Sequence, residues 1–343
     1  MTALHVLQVG PSVTLQDQGR PGRLDQGISC GGAADLLALA EGAALLQQDP
    51  GLAALEMAGL GGSFEAQADL RIALTGAPMV ARCDGETLAW NASHRIAAGQ
   101  RLEIGPARRG VYGYLHVGGG FDSAPFLGAR ATHLISGIGK PLSIGDVLPI
   151  GADKAVEVGL TLEAQERFGG GELRIVESFQ TGLFADDVRR RFSETEFRRG
   201  ARANRMGVEL VSDGPGFAAA GQLNILSEII VPGDVQMTGD GKPFILLREA
   251  QTTGGYPRIG TVLPCDLFRA AQAQAGDTLR LRWVSLEEGL AAQETYERQL
   301  KALPGSCRPL LRDPALMPDL LSYQLIGGAV SAYADPFADG EFK

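Results

Sequence analysis

Apolar residues along this chain recur in short runs cut by glycine and proline, not in long helical stripes. Leu70-Arg71-Ile72-Ala73-Leu74, Val111-Tyr112-Gly113-Tyr114-Leu115-His116-Val117 and Pro243-Phe244-Ile245-Leu246-Leu247 are such runs. Short apolar or alternating stretches bounded by turn residues predict strands. Three segments share one pattern: Ala98-Gly99-Gln100-Arg101-Leu102, Ile144-Gly145-Asp146-Val147-Leu148 and Ala275-Gly276-Asp277-Thr278-Leu279. Each couples a Gly-polar turn to an alternating strand. Gly137-Ile138-Gly139-Lys140-Pro141 is echoed by Gly239-Asp240-Gly241-Lys242-Pro243, which hints at an old duplication. Helical periodicity is confined to 33–46, 185–199 and 285–303. In the last of these Ser285 is the expected cap, with Glu287 and Glu288 in the first turn. The reading is a mainly β protein with a few helices. Its expected parts are an N-terminal half over 1–165, a C-terminal half over 166–303 and a tail over 304–343. Residues 151–172 lose strand character and end in Gly169-Gly170-Gly171, which suits a link between the halves.

Composition narrows the function classes. The 343 residues are 45% hydrophobic and 21% charged, the profile of a folded globular chain long enough for two domains. A net charge of -9 argues against a nucleic-acid binder. The short tracts Arg189-Arg190-Arg191 and Arg198-Arg199 are interleaved with Asp186, Asp187, Glu194 and Glu196, as on a solvated helix face. Cys30, Cys83, Cys265 and Cys307 stand singly, with no pair spaced for zinc, and fit a reducing compartment. Residues 1–19 lack the basic start and apolar centre of a signal peptide, and no run reaches the length of a membrane span. The expected location is the cytoplasm.

Generic catalytic motifs are mostly excluded. Neither Gly-Lys pair is a phosphate-binding loop: Leu134 and Gln236 stand where glycine is required, and Pro141 and Pro243 replace the Ser/Thr. His5, His94, His116 and His133 show no ligand spacing, and a structural or surface role is the plainer reading for each. No metal site is expected. Gly27-Ile28-Ser29-Cys30-Gly31 matches the serine-hydrolase elbow, but 20–26 is too polar to be the buried strand that an elbow needs. The richest stretch runs over 227–266 and includes Gln251-Thr252-Thr253-Gly254-Gly255-Tyr256-Pro257-Arg258. Hydroxyls, an amide and a guanidinium lie there beside glycines that admit close backbone approach or form an anion-binding nest. A polar hairpin loop is the plainer alternative.

Several motifs carry a family resemblance. The segment 10–22, Gly-Pro-Ser-Val-Thr-Leu-Gln-Asp-Gln-Gly-Arg-Pro-Gly, resembles the opening of the allophanate-hydrolase-subunit-2-like family, which includes the C subunit of 5-oxoprolinase and the carboxyltransferase domain of urea carboxylase. Gly31-Gly32-Ala33-Ala34-Asp35, Ala54-Leu55-Glu56, Asn204-Arg205-Met206-Gly207 and Gln251 through Ile259 match further elements in the family's order, over about residues 5–295. The last is closer to the oxoprolinase branch. The tail from about 304 lies outside the resemblance.

The resemblance implies two cyclophilin-like β-barrel halves and a heteromeric enzyme. A protein like the B subunit of 5-oxoprolinase would be the direct partner, and one like its A subunit would complete the complex. Together they would use ATP, with Mg2+, to open the lactam of 5-oxoproline to glutamate. No lysine here has a Met-Lys biotinylation context, so no covalent biotin is expected on this chain. Phosphorylating the lactam oxygen creates a leaving group, and such chemistry needs positioning and charge stabilisation above all. The residues expected to act in it are Asp17, Arg205 and Arg258. Substrate contacts are expected from Arg20, Asp35, Asn204, Gln251, Thr252, Thr253, Gly254, Gly255 and Tyr256, with Glu56 and Asp266 as further carboxylates. The alternatives are a carboxyltransferase component for urea or another amide, a non-catalytic regulatory binding protein, and a serine hydrolase acting through Ser29.

Overall fold

The computed structural model describes residues 2–219 and 226–311. The N-terminal half holds two antiparallel sheets. One runs in the order Val147–Pro149, Ala3–Val9, Gly62–Ala66, Arg101–Ala107, Met79–Cys83, Glu86–Leu88. The other runs Val13–Gln16, Ala54–Ala58, Tyr112–Val117, Leu70–Gly76, Ala92–Ile96, Leu160–Thr161, Arg308–Pro309. Leu4, Val6, Phe64, Leu102 and Ile104 of the first sheet share one core with Leu55, Met57, Ile72, Leu74, Leu115 and Val117 of the second. Helix α1 (Leu36–Leu46) covers the outer face of the second sheet, where Ala73 packs with Ala44, Leu45 and Leu46. Strand Leu70–Gly76 is therefore buried on both faces, which is why its sequence is apolar without alternation.

The three repeated Gly-polar turns fold as expected. Gly99, Gly145 and Gly276 adopt φ of +83°, +89° and +93°, and each delivers the chain into a strand. Only glycine takes that left-handed conformation without strain.

The C-terminal half is a closed seven-stranded barrel. Its order is Gly171–Val176, Arg258–Val262, Asp234–Met237, Pro243–Leu246, Gly207–Val211, Glu196–Ala203, Thr278–Trp283, closing by a parallel pairing of last to first. Helix α2 (Asp186–Glu194) brings Phe192 against Phe197 and Phe217, with ring centroids 5.2 Å away in both cases. The helical periodicity through 199 stops early, because Phe197 must face the barrel core and Glu196–Ala203 is a strand. Helix α3 (Leu267–Gln272) follows, then α4 (Leu286–Ser306), whose capping box joins Ser285 and Glu288.

Two boundaries differ from the sequence reading. Helix α4 continues past 303, and Arg308–Pro309 adds an edge strand to the N-terminal half through Leu160 and Thr161. Residues 312–343 of the expected tail lie outside the described residues. The segment 151–172, read as a link between the halves, carries the strand Leu160–Thr161 and the wholly buried Arg167. One apolar cluster runs from Ala33, Leu39, Tyr112 and Tyr114 into the barrel core at Phe197, Ile245 and Leu279, so the halves share a core. No described helix is long and apolar enough to cross a membrane. All four cysteines are free thiols.

Candidate functional site

The glycine-rich motifs form crossed loops where the halves meet. Arg20 N–H donates to the Cys30 carbonyl (2.7 Å), and Ala33 N–H to the Asp17 carbonyl (2.9 Å). A Cβ on Gly32 would stand 2.6 Å from the Gly19 nitrogen, so the crossing excludes side chains. Asp17 organises it. Its two carboxylate oxygens accept from Gly19 N–H (2.8 Å) and Arg130 N–H (2.5 Å).

Arg205 clamps this junction from the barrel side. It donates to the Gly32 carbonyl (2.5 Å), to Glu249 Oε1 (2.5 Å) and to Glu56 Oε1. Glu56 Oε2 in turn accepts from Tyr114 Oη (2.6 Å) and Ala34 N–H (2.7 Å). Burial opposes the charge on Arg205, but Glu56 and Glu249 outweigh it and hold the guanidinium above its ordinary value. A second lock lies deeper. Asp35 caps α1 through Ala38 N–H and accepts from Arg167 Nε (2.9 Å) and Gln272 Nε2 (2.9 Å), while Arg167 forks onto Glu41.

These contacts redistribute the expected roles. Asp35 has no exposed surface, and its carboxylate is spent on Ala38 N–H, Arg167 and Gln272 inside the protein. Asp17 and Arg205 likewise act on the fold, as does Asp266, whose carboxylate is taken by Arg174 (2.7 Å). Arg258 lies away from Arg205. It pins the Glu228–Ile229 strand, donating to Glu228, to the Ile229 carbonyl (2.8 Å) and to Asp234 (3.4 Å). Asn204 Oδ1 accepts Met206 N–H (2.7 Å), which shapes a turn. An ion pair inside a domain junction uses the same residue types as a substrate clamp, so the motifs alone do not separate the two roles.

The loop from Ala250 to Tyr256 is the exception, because three depressions meet on it. A cleft of about 740 Å³ separates Gln251, Thr252 and Thr253 from Gln26, Gly27, Ser29, Phe126, His133 and Ser136 of the N-terminal half. A second, of about 590 Å³, takes Asn204, Gln251 and Tyr256 beside Met206, Gln236 and Phe244. The third holds Arg258 and Thr253 beside the exposed Phe179. Gly254 lies over Gln236, where a Cβ would come within 2.6 Å of the amide nitrogen, and Gly255 is half-buried beside it.

The first cleft contains a pair that the sequence did not assign. Ser29 Oγ lies 2.9 Å from His133 Nε2, and both residues are buried. Ser136 N–H donates to His133 Nδ1 (3.2 Å), and Glu249 Oε2 stands 4.0 Å from that nitrogen. Burial lowers the His133 pKa, with Arg20 and Arg205 adding to the effect and Glu249 and the residue's own backbone opposing it, which favours the neutral ring. Arg20 is buried behind it. Its Nη2 and Nε reach the Ala131 and Phe126 carbonyls, and its Nη1 has no partner among the described residues. The Gly27–Gly31 motif match was the one sequence signal for Ser29. His133 gave none, since its partner is 104 residues away.

Residues 26–283 match the family model "Carboxyltransferase domain, subdomain A and B". The chain is 33% identical to the C subunit of the 5-oxoprolinase of Escherichia coli, covering 88% of this chain and 97% of that one. It is 28% identical to a putative urea carboxylase of Emericella nidulans, over 90% of this chain but 26% of that much longer one. The solved urea carboxylase of Kluyveromyces lactis superposes with a TM-score of 0.78 at 21% identity, covering 91% of this chain and 31% of that one, which shows a shared fold. The motifs at the junction, the mainly β fold with its closed barrel and the near end-to-end match agree, and this chain belongs to the carboxyltransferase-domain family that contains the C subunit of 5-oxoprolinase.

Proposed function

We propose that this chain is the C-type component of a cytoplasmic, ATP-dependent 5-oxoprolinase, opening the lactam of 5-oxoproline to glutamate together with partners of the B and A types. The observation that carries the reading is the match to a 5-oxoprolinase C subunit at 33% identity over 97% of its length. The substrate would enter the cleft between Ser29–His133 and Gln251-Thr252-Thr253, where hydroxyl and amide groups converge on a space of small-molecule size.

Both Gly-Lys turns lack the phosphate-loop pattern, and Lys242 is paired with Asp240 (2.9 Å) in an exposed turn. Among the described residues no three His, Cys, Asp or Glu side chains converge on one point. In this reading ATP and its Mg2+ belong to the assembled complex, with no one subunit assigned to hold them.

The test is reconstitution. The purified chain alone should neither form glutamate nor hydrolyse ATP in response to 5-oxoproline, and adding both partners should produce both activities. Robust turnover by the isolated chain would overturn the reading. Biotin-dependent carboxylation of urea by the assembly would replace it with the carboxyltransferase alternative.

A further inference from the structure

The serine–histidine pair resembles the start of a hydrolase triad, but its hydrogen bonds run in the opposite sense. An imidazole nitrogen that accepts a backbone N–H carries no proton. Ser136 N–H points at His133 Nδ1, so in the neutral ring the proton sits on Nε2. Nε2–H then donates to Ser29 Oγ at 2.9 Å. A general base would need Nε2 as an acceptor, and a carboxylate on Nδ1–H to hold that tautomer. Glu249 is 4.0 Å away, beyond hydrogen-bond reach, and its carboxylate is taken by Arg205 and by Leu134 N–H (3.0 Å).

This arrangement leaves one group unspent. Ser29 Oγ accepts from His133, and its own proton has no acceptor among the described residues. Ser29 is 3% exposed and lines the cleft, so its free O–H has only that space to meet a partner. A buried hydroxyl with an unused proton is costly unless something bound satisfies it.

We propose that Ser29 is a fixed hydrogen-bond donor to an acceptor oxygen of the bound substrate, with His133 as the positioning residue that holds the serine oxygen and turns its proton outward. Ser29 is therefore not a nucleophile. For the identity of the ligand this rests on the 5-oxoprolinase reading. 5-Oxoproline offers two acceptor oxygens of the required kind, on its lactam carbonyl and on its carboxylate.

The donor assignment is tested on the full chain by nitrogen NMR of the imidazole and by a fluorophosphonate probe. The expected result is the Nε2–H tautomer of His133 and no label on Ser29. An Nδ1–H tautomer, or labelling of Ser29, would overturn the proposal. These readouts stand whether or not the assembly turns over 5-oxoproline, so a failure of the functional reading stays distinguishable. In the reconstituted enzyme, Ser29→Ala should lower 5-oxoproline turnover by about ten- to a hundredfold. Ser29→Thr and His133→Gln, which keep the hydroxyl and a donor to it, should stay within a few-fold of wild type. His133→Glu, which offers the hydroxyl an inward acceptor, should behave like Ser29→Ala. Two competitive inhibitors separate the oxygens: 2-pyrrolidinone has only the lactam carbonyl, and proline only the carboxylate. The inhibitor whose affinity falls in Ser29→Ala identifies the contact. If neither falls, or if Ser29→Ala turns over normally, the hydroxyl meets no substrate.

Discussion

A buried side chain in this protein reads quite differently once its partners are known. His116 is 3% exposed, with Nε2 2.8 Å from Thr75 Oγ1, whose own proton goes to the Ala38 carbonyl. Gly42 of α1 sits directly on the ring, leaving no room for a Cβ. Burial pushes the His116 pKa down to about 3. The unfolded chain, with an ordinary histidine value near 6.5, binds a proton that the folded chain refuses. The stability from a neutral His116 is thus complete above about pH 6.5 and is lost as pH falls toward about 3, at roughly 1.4 kcal/mol per pH unit. Urea unfolding from pH 7 to pH 4.5 should show this loss, and His116→Gln should have a shallower slope. Identical slopes would mean that the ring is solvated.

At the scale of elements, periodicity located α1, α2 and α4 and the end of α1, but not where α2 and α4 stop. Glu196–Ala203 leaves the helical pattern of 185–199 because barrel closure needs it as a strand beside Thr278–Trp283. Likewise α4 outruns Leu303. Leu303 and Cys307 pack with Leu160 and Leu162, and Pro309 pairs with Leu160. The family resemblance stops at about 304, but the structure ends α4 at Ser306 and gives Arg308–Pro309 a place in the second sheet. A chain ending at Leu303 should melt several degrees below one ending at residue 311, by loss of that edge strand and its apolar contacts. Equal melting temperatures would show the edge strand to be idle.

The whole molecule is held by charge pairs laid across a shared core. Glu56–Arg205 and Asp35–Arg167 each take one partner from either side of the junction, and Ala33, Leu39 and Tyr114 continue the barrel's apolar cluster. The two halves should therefore unfold in one cooperative transition. Asp35→Ala leaves Arg167 with Glu41 alone and strips the α1 cap, which should cost about 3–5 kcal/mol. Calorimetry should record one transition for the wild type, shifted down in the variant. A wild type with two separated transitions, or a variant that melts normally, would contradict the junction described above.

The sequence alone determined what rests on local chemistry. Short apolar runs, Gly-polar turns and a capping box act within a few residues, so the mainly β class, the turn positions and the start of α4 were legible. So was the family, because its motifs are contiguous. What those motif residues do was not legible. Asp17, Asp35, Arg205 and Arg258 are the residue types that a substrate clamp would use, and only the fold shows their charges spent on Gly19, Arg167, Glu249 and Glu228. The tertiary structure also decided the cleft, since Ser29 and His133 meet only in the folded N-terminal half and Gln251 faces them only when the halves dock. Hydrogen-bond direction is a property of three-dimensional neighbours: the same serine and histidine make a nucleophile or a fixed donor depending on what Ser136 offers to Nδ1.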